Sequence, residues 1–190
     1  MKKNVIKNHG STLIVLIITI TITMVLGAFL LVVTMMNFKI NKANSEMKQA
    51  LYMSESGLNN AYVDAYDLVN NAIIDSLEKV EEYIKIYPSN ITEAENVFIN
   101  SYKLFITGQI TNKINDNKNP YVQVINVENL AFSIDKLTVC IQSKYYNDIN
   151  ILKTSSVNLI ILVPDYNDAI NNTIDISDVL KLENWALSYE

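Results

Sequence analysis

Arginine is absent from the 190-residue sequence, and all 15 basic side chains are lysines. The planar fork that grips a phosphate with two hydrogen bonds is therefore missing. The lysines are unevenly spread: residues 1–48 hold six of them and one acid, Glu46, while residues 49–190 hold nine lysines and nineteen acids. The balance is +5 in the first stretch and −10 in the second, which gives the net −5. An acidic body without arginine does not suit a phosphate backbone, so no nucleic-acid partner is expected. The single cysteine, Cys140, excludes an intramolecular disulfide. A chain of this size can bury a core without one. The single histidine, His9, lies in the first ten residues. No Cys/His metal set and no histidine-based triad can be assembled from the remainder. No enzymatic activity, cofactor or metal is expected. Proline first occurs at Pro88, so nothing before it forbids helix.

Charge is also missing from one long run. Ser11 to Phe38 is 28 residues without a charged side chain, ended by Lys39. A helix needs about 20 residues to cross the hydrocarbon core of a bilayer. The run is rich in β-branched residues, from Ile17 through Thr23 without a break, which in water would favour strand. A lone segment in lipid satisfies its backbone only as a helix, so a transmembrane helix is expected. A cleaved secretory signal has an apolar stretch of roughly 7–15 residues and a small-x-small cleavage site. Met35, Met36 and Asn37 supply no such site. Lys2, Lys3 and Lys7 face Lys39, Lys42 and Lys48 across the run, so lysine counting leaves orientation open. A ten-residue leader stays inside more easily, which puts the acidic bulk outside.

Within the run, Thr19, Thr23 and Gly27 stand four apart on one helix face. Small residues at that spacing let helices approach closely, and threonine hydroxyls bond either across or back to the backbone. A packing face and chance in a threonine-rich run are both open readings.

Beyond the run, Ile40, Ala43, Met47, Ala50, Leu51, Ser54, Leu58, Ala61 and Ala65 recur at three- and four-residue steps. Tyr62, Tyr66, Val69, Ile73, Leu77, Val80, Ile84 and Tyr87 continue the stripe. This is the apolar face of an amphipathic helix. Gly57 with Asn59–Asn60, and Asn70–Asn71, are expected bends. Thr92 and Glu95 fit a capping box, Val97, Phe98, Tyr102 and Phe105 follow at helical spacing, and Gly108 suits a stop. Residues 109–119 read as a polar loop, with Lys103–Ile106 ambiguous between helix and strand.

After Pro120 the period becomes two. Val122 and Val124 alternate, then Phe132 and Ile134, then Leu137, Val139 and Ile141, then Val157 to Val163, and finally Leu180 and Leu182. A turn is expected at Tyr145–Asn150. The fold class is α+β: a long N-terminal helix packed against a small antiparallel meander of four or five strands, polar on its outer face. Asp165, Asn167, Asp168, Asp175 and Asp178 form an acidic C-terminal cluster. Ile170 stands where an EF-hand loop needs glycine and Ile176 where it needs its closing glutamate, so these read as solvated loop acids.

These residues carry a resemblance. The leader Lys7-Asn8-His9-Gly10, an uncharged helix from the next residue and an amphipathic extension resemble the N-terminus of type IV pilin-like proteins. The segment Ala50-Leu51-Tyr52-Met53-Ser54-Glu55-Ser56-Gly57-Leu58 is similar to the A-x-x-A-E-x-G-L stretch of minor pilins with a PilX-type N-terminus. Glu183-Asn184-Trp185 resembles the tryptophan-bearing last strand of Gram-positive members. The first two features cover residues 7–62.

The resemblance implies that a prepilin peptidase cuts between Gly10 and Ser11 and methylates the new amine. It also implies a pilin-like organisation: a cytoplasmic leader over 1–10, a transmembrane helix over 11–38, an amphipathic extramembrane helix over 39–88 and an extracellular globular part over 89–190. The partners implied are other pilin subunits, the pilus assembly machinery and membrane lipid. Adhesion, twitching motility, secretion and DNA uptake are all compatible outputs. Ser11 departs from the usual phenylalanine or methionine after the cut, and Val15 from the usual glutamate at the fifth mature residue. A buried carboxylate there would pair with a neighbour's amine. Its lack points to a minor, initiating or tip subunit. A lone helix glutamate is usually a solvated charge, but Glu55 repeats the family pattern, and the resemblance implies that it meets a partner subunit. The alternative to a filament subunit is an uncleaved single-pass anchor that holds an extracellular binding domain at the surface.

Overall fold

The computed structural model describes residues 9–88, 90–146 and 152–189. Helix α1 spans His9–Ile86 and α2 spans Ile91–Ile114. Strand β1 is Tyr121–Val124, a 3-10 turn follows at Val127–Asn129, and β2 and β3 are Lys136–Tyr146 and Leu152–Leu162. Two short helices, α3 (Tyr166–Ile170) and α4 (Ile176–Val179), precede β4 at Leu180–Tyr189. Contacts divide the chain into two compact units, Met1–Glu46 and Met47–Glu190.

In the second unit the sheet is a four-stranded meander in the order β1-β2-β3-β4, every pair antiparallel. This matches the α+β class and the lower of the two strand counts, four or five, read from periodicity. The expected turn between β2 and β3 falls largely on residues outside the described ones. One sheet face carries Val122, Val124, Leu137, Val139, Ile141, Val157, Leu159 and Ile161, all buried. The other carries Cys140, Asn158, Lys181 and Glu183, and a hydrogen bond of 3.0 Å from Gln123 to Gln142. Ile160 and Thr154 are buried exceptions there.

The buried face of α1 is made largely of small residues: Ala50, Ser54, Gly57, Ala61, Ala65, Ala72 and Ser76, with Leu58, Leu68, Val69, Ile73 and Val80 between them. Small side chains let the helix backbone lie close to the sheet. The stripe drawn from spacing runs along this face but omits Leu68, Ala72 and Ser76. It also includes Ile40, Ala43, Met47, Tyr66, Ile84 and Tyr87, which are exposed. The expected bends do not interrupt the helix, because Gly57, Asn59, Asn60, Asn70 and Asn71 are all helical. Gly57 has a different role. A Cβ there would collide with Ser143 Oγ and stand 3.1 Å from both Pro120 and Val122, so the position admits only glycine without rearrangement.

Helix α2 corrects two expectations. Its N-cap is Asn90, so Thr92 lies inside the first turn and no capping box closes the end. The Asn90 side chain donates instead to Tyr83 Oη at 3.2 Å. The helix also runs through Gly108 and on to Ile114, taking in Lys103–Ile106 and half of the expected loop. The cause is burial: Phe98, Tyr102, Ile106, Ile110 and Ile114 recur every four residues and are sealed in the core. Glycine in a helix costs about 1 kcal/mol, and burying one isoleucine returns about 1.5–3 kcal/mol. Past the end, Asn115 Oδ1 accepts from Val124 N at 2.8 Å and ties α2 to β1.

Phe132 and Ile134 are not in a strand. Ser133 and Lys136 exchange backbone hydrogen bonds around a tight turn, with Ile134 at φ 59° and exposed. Lys103 of α2 holds this turn by donating to the Ile134 carbonyl and to Asp135, the latter at 3.2 Å. One hydrophobic cluster joins α1, α2, the sheet, α3 and α4.

Candidate functional site

Candidate chemistry falls in three places: the N-terminal helix, Glu55 and the acidic C-terminal cluster. In the first unit, one helix is long and apolar enough to cross a membrane. Its side chains from Leu13 to Phe38 have almost no cover within the chain; Met24 is 71% exposed and Phe29 65%. Helix α1 starts at His9, two residues before the expected position, so Gly10 and Ser11 stand in its first turn. Residues 1–8 of the expected leader lie outside the described residues.

Four threonine hydroxyls bond back to their own helix. Thr19 Oγ1 donates to the Val15 carbonyl, and Thr23 Oγ1 to the Thr19 carbonyl, each at 2.8 Å. Thr21 and Thr34 do the same four residues behind. Each hydroxyl is thus satisfied inside its own helix and presents its methyl group outward, which makes the segment more apolar than its composition suggests. Gly27 has nothing within 4 Å of where a Cβ would stand. Thr19, Thr23 and Gly27 therefore form a shallow strip on an otherwise bulky helix, free of any contact inside the chain that would need it.

Glu55 is half-buried on α1, beside the Ser54–Gly57 segment that lies against the sheet. Among the described residues it has no ion-pair or hydrogen-bond partner. Glu55 belongs to the second unit, and Thr19, Thr23 and Gly27 to the first.

The C-terminal acids act on their own backbone. Asp165 caps α3, its Oδ1 accepting from Asn167 N at 2.8 Å and Asp168 N at 3.3 Å. Asp175 caps α4, accepting from Ser177 N at 2.9 Å. Hydrogen bonds from the Ser177 side chain and backbone hold the Asp175 carboxyl below its ordinary range. Among the described residues, no group of three or more histidine, cysteine, aspartate or glutamate side chains could hold a metal ion.

The spacing argument missed the end of the sheet. Strand β4 pairs with β3 through a register shift between Ser156 and Asn158, where Asn184 takes φ 56°. Leu182 and Trp185 therefore share a sheet face although they are three residues apart. The break in period two at Asn184 is the sequence trace of this bulge. Comparison with known protein families, curated proteins and solved structures finds no match to this chain.

Proposed function

We propose that this chain is a minor subunit of a type IV pilus-type filament. It is held in the cytoplasmic membrane by the uncharged part of α1, with its N-terminus cytoplasmic, and enters or primes the filament after cleavage between Gly10 and Ser11. One observation carries the reading. A single helix bears an uncharged segment whose apolar side chains are exposed among the described residues and, further along, a face buried under an antiparallel meander. The uncovered segment needs an apolar surrounding, and lipid or a bundle of like helices both provide one. Satisfied threonine hydroxyls and the strip at Thr19, Thr23 and Gly27 suit both surroundings, so the segment can exchange one for the other. Its partners are other pilin subunits, the assembly machinery and a prepilin peptidase. The chain acts structurally and not as an enzyme. Val15 in place of a carboxylate removes one anchor to a neighbour's amine and favours a minor subunit over the main building block.

The mature N-terminus tests this. The protein recovered from cells that contain a prepilin peptidase is expected to begin at Ser11, with or without a methyl group, by intact mass spectrometry. A chain that keeps Met1 in those cells supports the uncleaved single-pass anchor and overturns the filament reading.

A further inference from the structure

The two edges of the sheet are finished differently. Along β1 the chain closes its own edge: Val122 exchanges two backbone hydrogen bonds of 2.9 Å with Asp116, and Val124 N donates to Asn115 Oδ1. Where β1 stops, Asn126 takes over the exposed edge of β2, its amide joining Thr138 O and Cys140 N at 2.8 Å each. Along β4 nothing comparable happens. Among the described residues, β3 is its sole strand neighbour, and past Leu180, whose N–H donates to the Ile176 carbonyl, no loop or side chain pairs with its outer backbone. A long strand with an unpaired row of N–H and C=O groups is a template for another strand unless charge, proline or distortion blunts it.

The first half of β4 is blunted by Lys181, Glu183 and the bulge at Asn184. The second half, Asn184-Trp185-Ala186-Leu187-Ser188-Tyr189, carries no charge. Leu187 stands opposite Ser155, whose side chain is buried on the helix-covered face, so Leu187 lies on that face. Alternation puts Trp185 there too. Both sit where the sheet ends and stay open, Trp185 at 48% and Leu187 at 44% exposure.

We propose that this half of β4 pairs antiparallel with the same strand of a second copy, about a two-fold axis at Ala186. The occupant follows from self-complementarity. In that register Trp185 of each copy faces Leu187 of the other on the helix-covered side, and no like charges meet. A register centred on Leu182 would carry Trp185 and Leu187 past the start of the partner's strand, leaving both uncovered. The pairing joins two meanders into one eight-stranded sheet and closes the remaining edge of each. It does not depend on the filament reading or on cleavage at Gly10.

The test uses the full-length protein in detergent micelles, its mass measured by light scattering. The wild type is expected to be dimeric. W185K and L187K, at sites already open to solvent, are expected to weaken the dimer at least tenfold while leaving the unfolding transition unchanged. A186C in a C140S background is expected to form a covalent dimer under mild oxidation. Directly opposed residues in antiparallel strands have Cα atoms about 4.5–5.5 Å apart, within disulfide reach. A wild type that stays monomeric at tens of micromolar overturns the proposal. So does a dimer that survives both lysine substitutions without an A186C cross-link, since it is then built elsewhere, for example through the apolar part of α1.

Discussion

Ser54 Oγ of α1 lies 2.7 Å from Ser155 Oγ of β3, both side chains buried and 101 positions apart in the sequence. Ser54 also donates to the Leu51 carbonyl at 2.8 Å. A hydroxyl has one proton to give, so Ser155 is the donor in the pair and Ser54 its acceptor. The roles are unequal, and so are the consequences of losing each side chain. S155A leaves Ser54 bonded to Leu51 and costs about 0.5–1 kcal/mol. S54A leaves the Ser155 hydroxyl sealed without an acceptor and costs about 1–3 kcal/mol. Urea unfolding of the two variants checks the order, and equal losses would mean the proton runs the other way.

One turn further along α1, Gly57 faces Ser143, whose hydroxyl is buried without a partner. G57A must push its methyl group into Ser143, Pro120 and Val122, and overpacking of this kind costs about 1–3 kcal/mol. S143A removes both the obstruction and an unsatisfied polar atom, so by itself it is neutral or stabilising by up to about 1 kcal/mol. The double variant G57A/S143A recovers part of the G57A loss. A thermal-unfolding cycle reads this as a favourable coupling between the two sites.

Tyr102 gives the fold an alkaline limit. It is wholly buried, stacked on Phe98, and donates to the Leu162 carbonyl at 3.1 Å. Burial pushes its phenol well above the ordinary value of 10.0. Because the folded value is raised, this contribution is complete below pH 10 and falls as pH climbs toward the folded value. The unfolded chain ionises first, and the loss is about 1.4 kcal/mol per pH unit in that window. Y102F costs about 1 kcal/mol at neutral pH through the lost hydrogen bond. It also flattens the decline above pH 10 relative to wild type, which denaturant midpoints measured from pH 8 to 11 will display.

Gly27 separates folding from assembly. Nothing lies near the Cβ that a leucine would add, so G27L leaves the unfolding transition of residues 47–190 within about 0.5 kcal/mol of wild type. In the proposed filament the same leucine holds neighbouring helices apart. Recovery of the protein in sheared surface filaments is expected to drop at least tenfold, compared by immunoblot. Undiminished recovery would remove the strip at Thr19, Thr23 and Gly27 from the packing face.

Much of this architecture is legible in the sequence because it is periodic. The α1 stripe and the alternation in β1, β2 and β3 are direct imprints of one buried face. The misreadings arise where a long-range partner outweighs a local rule. Gly108 reads as a stop, but Ile110 and Ile114 still have core to fill. Thr92 and Glu95 spell a cap, but the chain enters the helix at Asn90, whose amide Tyr83 occupies. Ile134 continues an alternation, but Lys103 from another element holds a turn there. Gly57 reads as a bend, though only the strands opposite, supplied by residues far along the chain, make it a contact. For the candidate site, the spacing of Thr19, Thr23 and Gly27 was visible and the direction of the threonine hydroxyls was not. Helix spacing allows both directions, and only rotamers decide between them.

The small-residue face of α1 also sets an order of events on the ribosome. Ser54 is made 101 residues before the serine that covers it. At about 5–20 residues per second, that interval is roughly 5–20 s. Through most of it, the later half of α1 has α2 for company but only the start of a sheet, β1 and β2, to lie against. Whatever attends the nascent chain, whether a chaperone or a translocation channel, has to shield a bare strip of alanine, serine and glycine until the last hairpin arrives.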